Sequence, residues 1–290
     1  MMKIKTKGER AFGVFNIIFL ALLAFITLYP FVYIISVSLS SAMYVNMGEV
    51  WFLPKGFTLA SYQKALARSG LVVAYLNSFY YMIVGTAISM VLTVFGAYPL
   101  SKKRLYGKKV MNLLVVFTMW FGAGMVPTYL NYKSLGLLDT RLAILLSASA
   151  YNFILMRTYF MSIPDALEEA SKIDGASDFQ VLVKVYLPLS LPSIATVSLF
   201  YAIGQWNSYF WPMILLRDES KIPLQVLLKK FVVDMTSRLD ELEYGVDATN
   251  MSEDGIIYST MVLAIVPMLI IYPFAQKYFV KGVMVGSVKG

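Results

Sequence analysis

Long stretches without charge constrain this chain more than any single residue does. Six of them contain no Asp, Glu, Lys or Arg. They lie between Arg10 and Glu49 (38 residues), Arg68 and Lys102 (33), Lys109 and Lys133 (23), Arg141 and Arg157 (15), Lys184 and Arg217 (32), and Asp254 and Lys277 (22). One charge at the centre of a spanning helix costs about 2.5–3.5 kcal/mol on the insertion scale, so spans show up as gaps between charges. A helix rising 1.5 Å per residue needs about 20 residues to cross the hydrocarbon layer. Five gaps are long enough as they stand. The fourth is short, but Arg141 and Arg157 at its ends can snorkel toward the interface. The gaps predict an all-α membrane protein with six transmembrane helices, near 12–38, 72–98, 110–130, 140–161, 188–215 and 256–277.

Composition agrees. Hydrophobic residues make up 58% of the 290 and charged residues 14%, against about 25% charged in a soluble domain. Such a chain lacks the charge to cover a soluble surface. The apolar run after Lys3, Lys5, Lys7 and Arg10 is too long for a signal peptide and has no small-residue cleavage site, so it reads as a retained first span. Lys and Arg then set the orientation. With the N-terminus inside, 15 of the 25 fall in inner segments and 10 in longer outer ones. Both termini are expected in the cytoplasm.

Cysteine and histidine are absent. That excludes disulfides, thiol chemistry and a Cys/His zinc site, and it removes the commonest general base. No metal site is expected. The net charge of +8 is explained by basic cytoplasmic loops; no basic patch with interleaved aromatics suggests nucleic acid.

The inner segment 162–188 differs from the other loops. Pro164 suits the first position of a helix. Asp165, Glu168 and Glu169 complement its dipole, and Gly175 suits a left-handed C-terminal cap. Ala166, Ala170 and Ile173 share one face. Ser177 and Asp178 can start the next helix. The product is a short amphipathic cytoplasmic helix. It can lie on lipid or dock to a cytoplasmic partner. Its acidic character fits poorly with an anionic leaflet. Glu168 and Glu169 are adjacent, so they point to different faces and make a poor acid/base pair.

The order Glu169-Ala170-Ser171, three residues, Gly175, nine residues, Val185, Tyr186, Leu187-Pro188 resembles the EAA motif of ABC importer permeases. Ser171 replaces the second Ala of the motif and Val185 its Ile. The resemblance covers nearly the whole chain. Tyr29-Pro30, Pro54, Phe57-Thr58, Tyr62, Asn77-Ser78, Ala97 to Ser101, Trp206-Asn207 and the tail from Phe279 to Gly290 resemble the carbohydrate branch. Within it the chain is most similar to the maltose-permease-like second subunit of oligosaccharide, aldouronate and alginate importers.

The resemblance implies a single permease domain over 1–290, in the cytoplasmic (inner) membrane of a bacterium. It makes the short helix a coupling helix seated in an ATPase subunit, with Glu168, Glu169, Ala170, Ser171, Ile173, Asp174, Gly175 and Ala176 as the coupling residues. The implied partners are a homologous second permease, two ATPase subunits holding ATP and magnesium, and an extracytoplasmic sugar-binding protein. The substrate is an oligosaccharide, and the family extends to uronate-containing ones. No cofactor is expected on this chain, which lacks a G-x-x-x-x-G-K-[ST] phosphate loop. It is expected not to be an enzyme. The competing class is an ion-coupled secondary transporter or channel; against it, none of the six cores holds a carboxylate.

The candidate substrate path lies in the fifth span, at Gln205, Trp206, Asn207 and Tyr209; Asn77, Tyr81 and Asn152 are weaker candidates, better suited to structural roles. Aromatic faces and amides suit sugars, but they equally suit an interfacial belt and helix-to-helix bonds. The acidic outer segment 216–255 matches in position a family segment that reaches toward the binding protein; it can also be a solvated loop. The tail from Lys281 to Gly290 resembles tails that reach the ATPase, and it can equally be a frayed end.

Overall fold

The structure, a computed structural model, describes residues 7–67, 70–242 and 253–287. Among these residues the chain is helical, with no strand. The stretch 243–252 of the acidic segment and residues 288–290 of the tail lie outside them.

Helix α1 runs Lys7–Ser38. After two short helices, Ala42–Asn46 and Ala60–Ala67, α2 spans Leu71–Ser101 with one π turn at Tyr81–Gly85. Next come α3 (Lys108–Trp120) and α4 (Met125–Ser134). A short turn of helix, Leu142–Leu145, precedes α5 (Ala150–Ser162). Then follow α6 (Asp165–Ile173), α7 (Asp178–Leu189), α8 (Leu191–Trp206) and α9 (Phe210–Leu215). Helices α10 (Leu224–Leu242) and α11 (Glu253–Ser287) complete the chain.

Among the described residues, three helices are long and apolar enough to cross a membrane alone: Ala11–Ser38 within α1, Leu71–Ser101, and Asp254–Pro273 within α11. The other expected spans are broken. The region 110–130 holds α3 and α4, bent by 119°, because Phe121-Gly122-Ala123-Gly124 interrupts them and Gly124 adopts φ +82°. In the region 140–161 residues 146–149 leave the helix. The remaining α5 has 13 residues, about 20 Å at 1.5 Å each and too short to span alone. Helices α7 and α8 meet at 83° around Ser190, with Pro188 and Pro192 on either side. Helix α8 stops at Trp206, three residues before α9 begins. The break falls at Asn207–Tyr209 rather than at Pro212.

Arg141 and Arg157 bond within the protein. Arg157 Nε donates to the Leu100 carbonyl at 3.1 Å. Arg141 donates to Asn77 Oδ1 at 3.3 Å and stands 5.4 Å from the Tyr80 ring centre.

The chain divides into two compact units, 1–69 with 230–265 and 70–229 with 266–290. In the first, the end of α1 is pinned by hydroxyls. Ser36 Oγ donates to the Phe52 carbonyl at 2.8 Å, and Ser38 Oγ lies 2.8 Å from the Tyr62 hydroxyl. Tyr33 meets Tyr258 edge to face at 5.8 Å. No residue in the apolar window of α1 is buried, as expected of a helix whose side chains meet lipid or another subunit.

The second unit holds a core of Met90, Val94, Tyr98, Met156, Phe160, Val181, Leu182, Tyr186, Val197 and Tyr201. These residues come from α2, α5, α7 and α8. Gly96 lets α2 and α5 approach closely, since a Cβ there would meet Phe153 Cε2 at 2.5 Å. Thr93 and Tyr201 share a hydrogen bond of 2.7 Å inside this core, which satisfies two polar groups that would be costly if buried alone.

Candidate functional site

Helix α6 begins one residue later than the sequence predicts. Pro164 precedes it as the cap residue with ψ 131°, and Asp165 is first. A residue's conformation before a helix suits proline's fixed φ and spares an amide donor. The helix ends in a Schellman motif. Gly175 has φ +82°; its N–H donates to the Lys172 carbonyl at 3.0 Å, and that of Ala176 to the Ser171 carbonyl at 2.9 Å. Gly carries this left-handed conformation at no steric cost. Ser177 then caps α7 in a reciprocal box with Gln180, as the Ser177-Asp178 start predicts.

The helix contributes no buried residue of its own. Its two faces differ in an unusual sense. Glu168 points inward, with its side chain 15% exposed. Its Oε2 accepts from Lys102 Nζ at 2.7 Å and from the Tyr186 hydroxyl at 3.1 Å. The apolar face points outward, with Leu167 42% and Ile173 86% exposed. Glu169, Ala170, Asp174 and Gly175 are also exposed, while Ser171 and Ala176 are half-buried. The eight predicted coupling residues thus fall within 168–176, with Glu168 turned inward and Glu169, Ala170, Ile173, Asp174 and Gly175 exposed.

Ion pairs fix α6 from its sides. Lys103 pairs with Asp165 at 2.5 Å, Lys172 pairs with Asp178 at 2.8 Å, and Arg104 pairs with Asp178. The Lys103 ammonium beside Asp165 holds that carboxyl below its ordinary range, and Asp165 in turn raises the lysine. Burial lowers the Lys102 ammonium, and the bond to Glu168 opposes that shift. Lys102 Nζ stands 3.5 Å from the ring centre of Tyr186 and 4.1 Å from that of Tyr98. Reasoning from sequence missed Lys102 and Tyr98 as site residues. The basic run Lys102-Lys103-Arg104 served only to orient the chain. Its complement, the acidic start of α6, was the available signal.

The candidate substrate-path residues divide. Gln205 is buried, donates to the Ile144 carbonyl at 3.3 Å, and borders a cavity of about 710 Å³. Asn152, Tyr132, Tyr151, Ser208 and Trp211 also line it. Trp206 is 1% exposed and packs edge-on against Tyr75 and Phe79 at 5.9 and 5.1 Å. Asn77 Nδ2 donates to the carbonyls of Ser220 and Ile222 at 2.8 and 3.0 Å. The Tyr81 hydroxyl donates to the Lys221 carbonyl at 2.8 Å. Asn207 and Tyr209 are exposed outside the cavity wall. The structure thus gathers Gln205 and Asn152 at one cavity, and gives Trp206, Asn77 and Tyr81 packing and backbone partners outside its lining.

Asp139 organises the start of the outer segment. It adopts φ +56°, and its Oδ1 accepts from the Arg217 and Asp218 amides at 3.0 and 3.1 Å. Lys221 Nζ lies 3.3 Å from Oδ2. Among the described residues, no three metal-ligating side chains cluster.

Residues 2–285 match the family described as binding-protein-dependent transport system inner membrane component. The chain belongs to this family. It is 39% identical, over 94% of its length and 96% of the relative's, to the polygalacturonan/rhamnogalacturonan transport system permease protein YtcP of Bacillus subtilis (strain 168). It is 40% identical to the protein LplC of the same organism, covering 98% and 97% of the two chains. Among solved structures it resembles a chain of a bacterial ABC transporter involved in import of the acidic polysaccharide alginate. That match has a TM-score of 0.88 and 42% identity, and covers 96% of this chain and 100% of the other. The chain is a membrane permease component, and its all-helical fold is that of such components.

Proposed function

We propose that this chain is a non-catalytic permease subunit of an ABC importer for an oligosaccharide. In this reading six spans are built from α1, α2, the α3–α4 pair, the region 142–162, the α7–α9 region and α11. Both termini face the cytoplasm. A homologous permease completes the pathway, two ATPase subunits bind ATP and magnesium, and an extracytoplasmic binding protein delivers the sugar. Helix α6 is the coupling helix.

One observation carries the reading. Helix α6 turns Glu168 inward, onto Lys102, and its apolar side outward, with Ile173 86% exposed. A helix lying on an anionic bilayer would carry Lys and Arg around an apolar face. This one carries Asp165, Glu169 and Asp174 beside it, which suits a protein groove with polar or basic walls. When ATP closes the ATPase pair, a helix seated in each groove moves with it and the spans swing from inward-open to outward-open.

Names of the relatives favour a polysaccharide fragment, including acidic ones. The cavity beside Gln205 and Asn152 is lined by aromatic, amide and hydroxyl groups and by no Lys or Arg. Its chemistry suits sugar faces and hydroxyls rather than carboxylates.

The test is to isolate the chain from detergent-solubilised membranes of its host and identify what comes with it. An ATPase, a second permease of similar length and a sugar-binding protein are expected. A chain recovered alone, which conducts sugar or ions in liposomes without ATP, would make it a secondary carrier.

A further inference from the structure

Lys102 follows the last residue of α2 and is 7% exposed. An ammonium is a compact, strongly hydrated charge, and its burial is costly unless other groups replace the water. Here the Glu168 carboxylate at 2.7 Å and the faces of Tyr186 and Tyr98 replace it. Aromatic faces carry negative potential and attract a cation. A Met or Leu would fill the same space without desolvation, so a buried ion pair is weak evidence of a role in stability.

The members of this cage come from three elements. Tyr98 and Lys102 belong to the end of α2, Glu168 to α6, and Tyr186 to α7. The other ion pairs of α6 each have at least one exposed partner: Lys103 and Asp165 are 84% and 57% exposed, Asp178 beside Lys172 is 57% exposed, and Arg104, which also stands 3.5 Å from Glu168 Oε1, is 56% exposed. Water and salt screen such pairs. The cage is the shielded link.

We infer that Lys102 is a positioning residue for energy coupling: its ammonium, held by Glu168, Tyr98 and Tyr186, makes α6 move as one body with the end of α2. The inference rests on the reading of α6 as the coupling helix. A push on α6 then reaches α2 and α7 together, rather than bending the loops around α6.

The test uses the assembled importer in liposomes. ATP hydrolysis and uptake are measured in the same preparation. The probe is a radiolabelled oligogalacturonate or alginate oligosaccharide, whichever the co-purified binding protein retains. Lys102→Met keeps the stem and removes the charge; it is expected to assemble and hydrolyse ATP while uptake per ATP falls about tenfold or more, within the range of a typical coupling energy. Lys102→Arg keeps a charge that stacks on rings and is expected to hold most of the wild-type ratio. Exchanging the charges, Lys102→Glu with Glu168→Lys, sets a carboxylate against the ring faces and is expected not to rescue. A wild-type ratio in Lys102→Met, or rescue by the exchange, would overturn the inference. If Lys102→Met does not assemble, Tyr98→Leu removes one ring and leaves the ion pair; a lowered ratio supports the cage and an unchanged ratio overturns it. Wild-type uptake that needs no ATP would instead defeat the coupling reading itself.

Discussion

Glu168 and Ile173 occupy opposite faces of one nine-residue helix: the carboxylate side chain is 15% exposed and the isoleucine 86%. Most short amphipathic helices bury the apolar side. The inversion leaves Ile173 without support from its own chain. Ile173→Asp is therefore expected to leave folding intact and weaken capture of the ATPase. Burying an isoleucine is worth about 1.5–3 kcal/mol, or roughly 10- to 150-fold in affinity. Co-purification titrated against added ATPase checks this.

Gly96 faces Phe153 across the contact of α2 with α5. Gly96→Ala places a Cβ 2.5 Å from the ring, so the ring or the helices must shift. Overpacking of this kind costs about 1–3 kcal/mol. A lower unfolding temperature in detergent is the expected result.

Trp206 and Asn77 should act through packing. Trp206→Ala empties a site that is 1% exposed in the wild type, at a cost of about 3–5 kcal/mol. Loss of assembled protein should precede any change in sugar preference. Asn77→Ala strips the Ser220 and Ile222 carbonyls of their donor, at about 1–3 kcal/mol. Faster hydrogen exchange over 216–223 would report it.

Asp139 makes the same segment sensitive to acid. The amides of Asp218 and Arg217, with Lys221, hold its carboxyl below the ordinary 3.8. A depressed folded value stabilises above the unfolded value and is lost as pH falls through the folded one. Protection of 216–223 should therefore persist through mild acid and fail only below about pH 3.8. Asp139→Asn, which tolerates the positive φ, should weaken that dependence and leave the share carried by Asp218, whose carboxyl is also held low by Ser220 and Lys221.

Much of this was legible in the sequence. Charge-free gaps located the regions of α1, α2 and α11, because lipid forbids charge more strictly than any propensity operates. Residues 165–176 were legible because capping is local: Pro164, Gly175 and Ser177 act within a few positions of themselves. Breaks within the other apolar regions were hidden. Gly122 and Gly124 are small apolar residues that hydropathy counts as span, and the gap at Asn207–Tyr209 carries no proline. Nor does spacing reveal that Lys102 meets Glu168, 66 positions away. Asn77 and Tyr81 looked suited to sugar by residue type, but their partners 140 or more positions distant are backbone carbonyls.

In the proposed function, energy enters this chain from an ATPase through α6. The most direct measurement is uptake by the reconstituted importer, with its binding protein, in liposomes holding ATP, ADP or an imposed ion gradient, for wild type and Ile173→Asp. Uptake with ATP alone is expected, as is its loss in the variant while the permease pair remains assembled. Uptake driven by the ion gradient without ATP, or full ATP-driven uptake by Ile173→Asp, would contradict it.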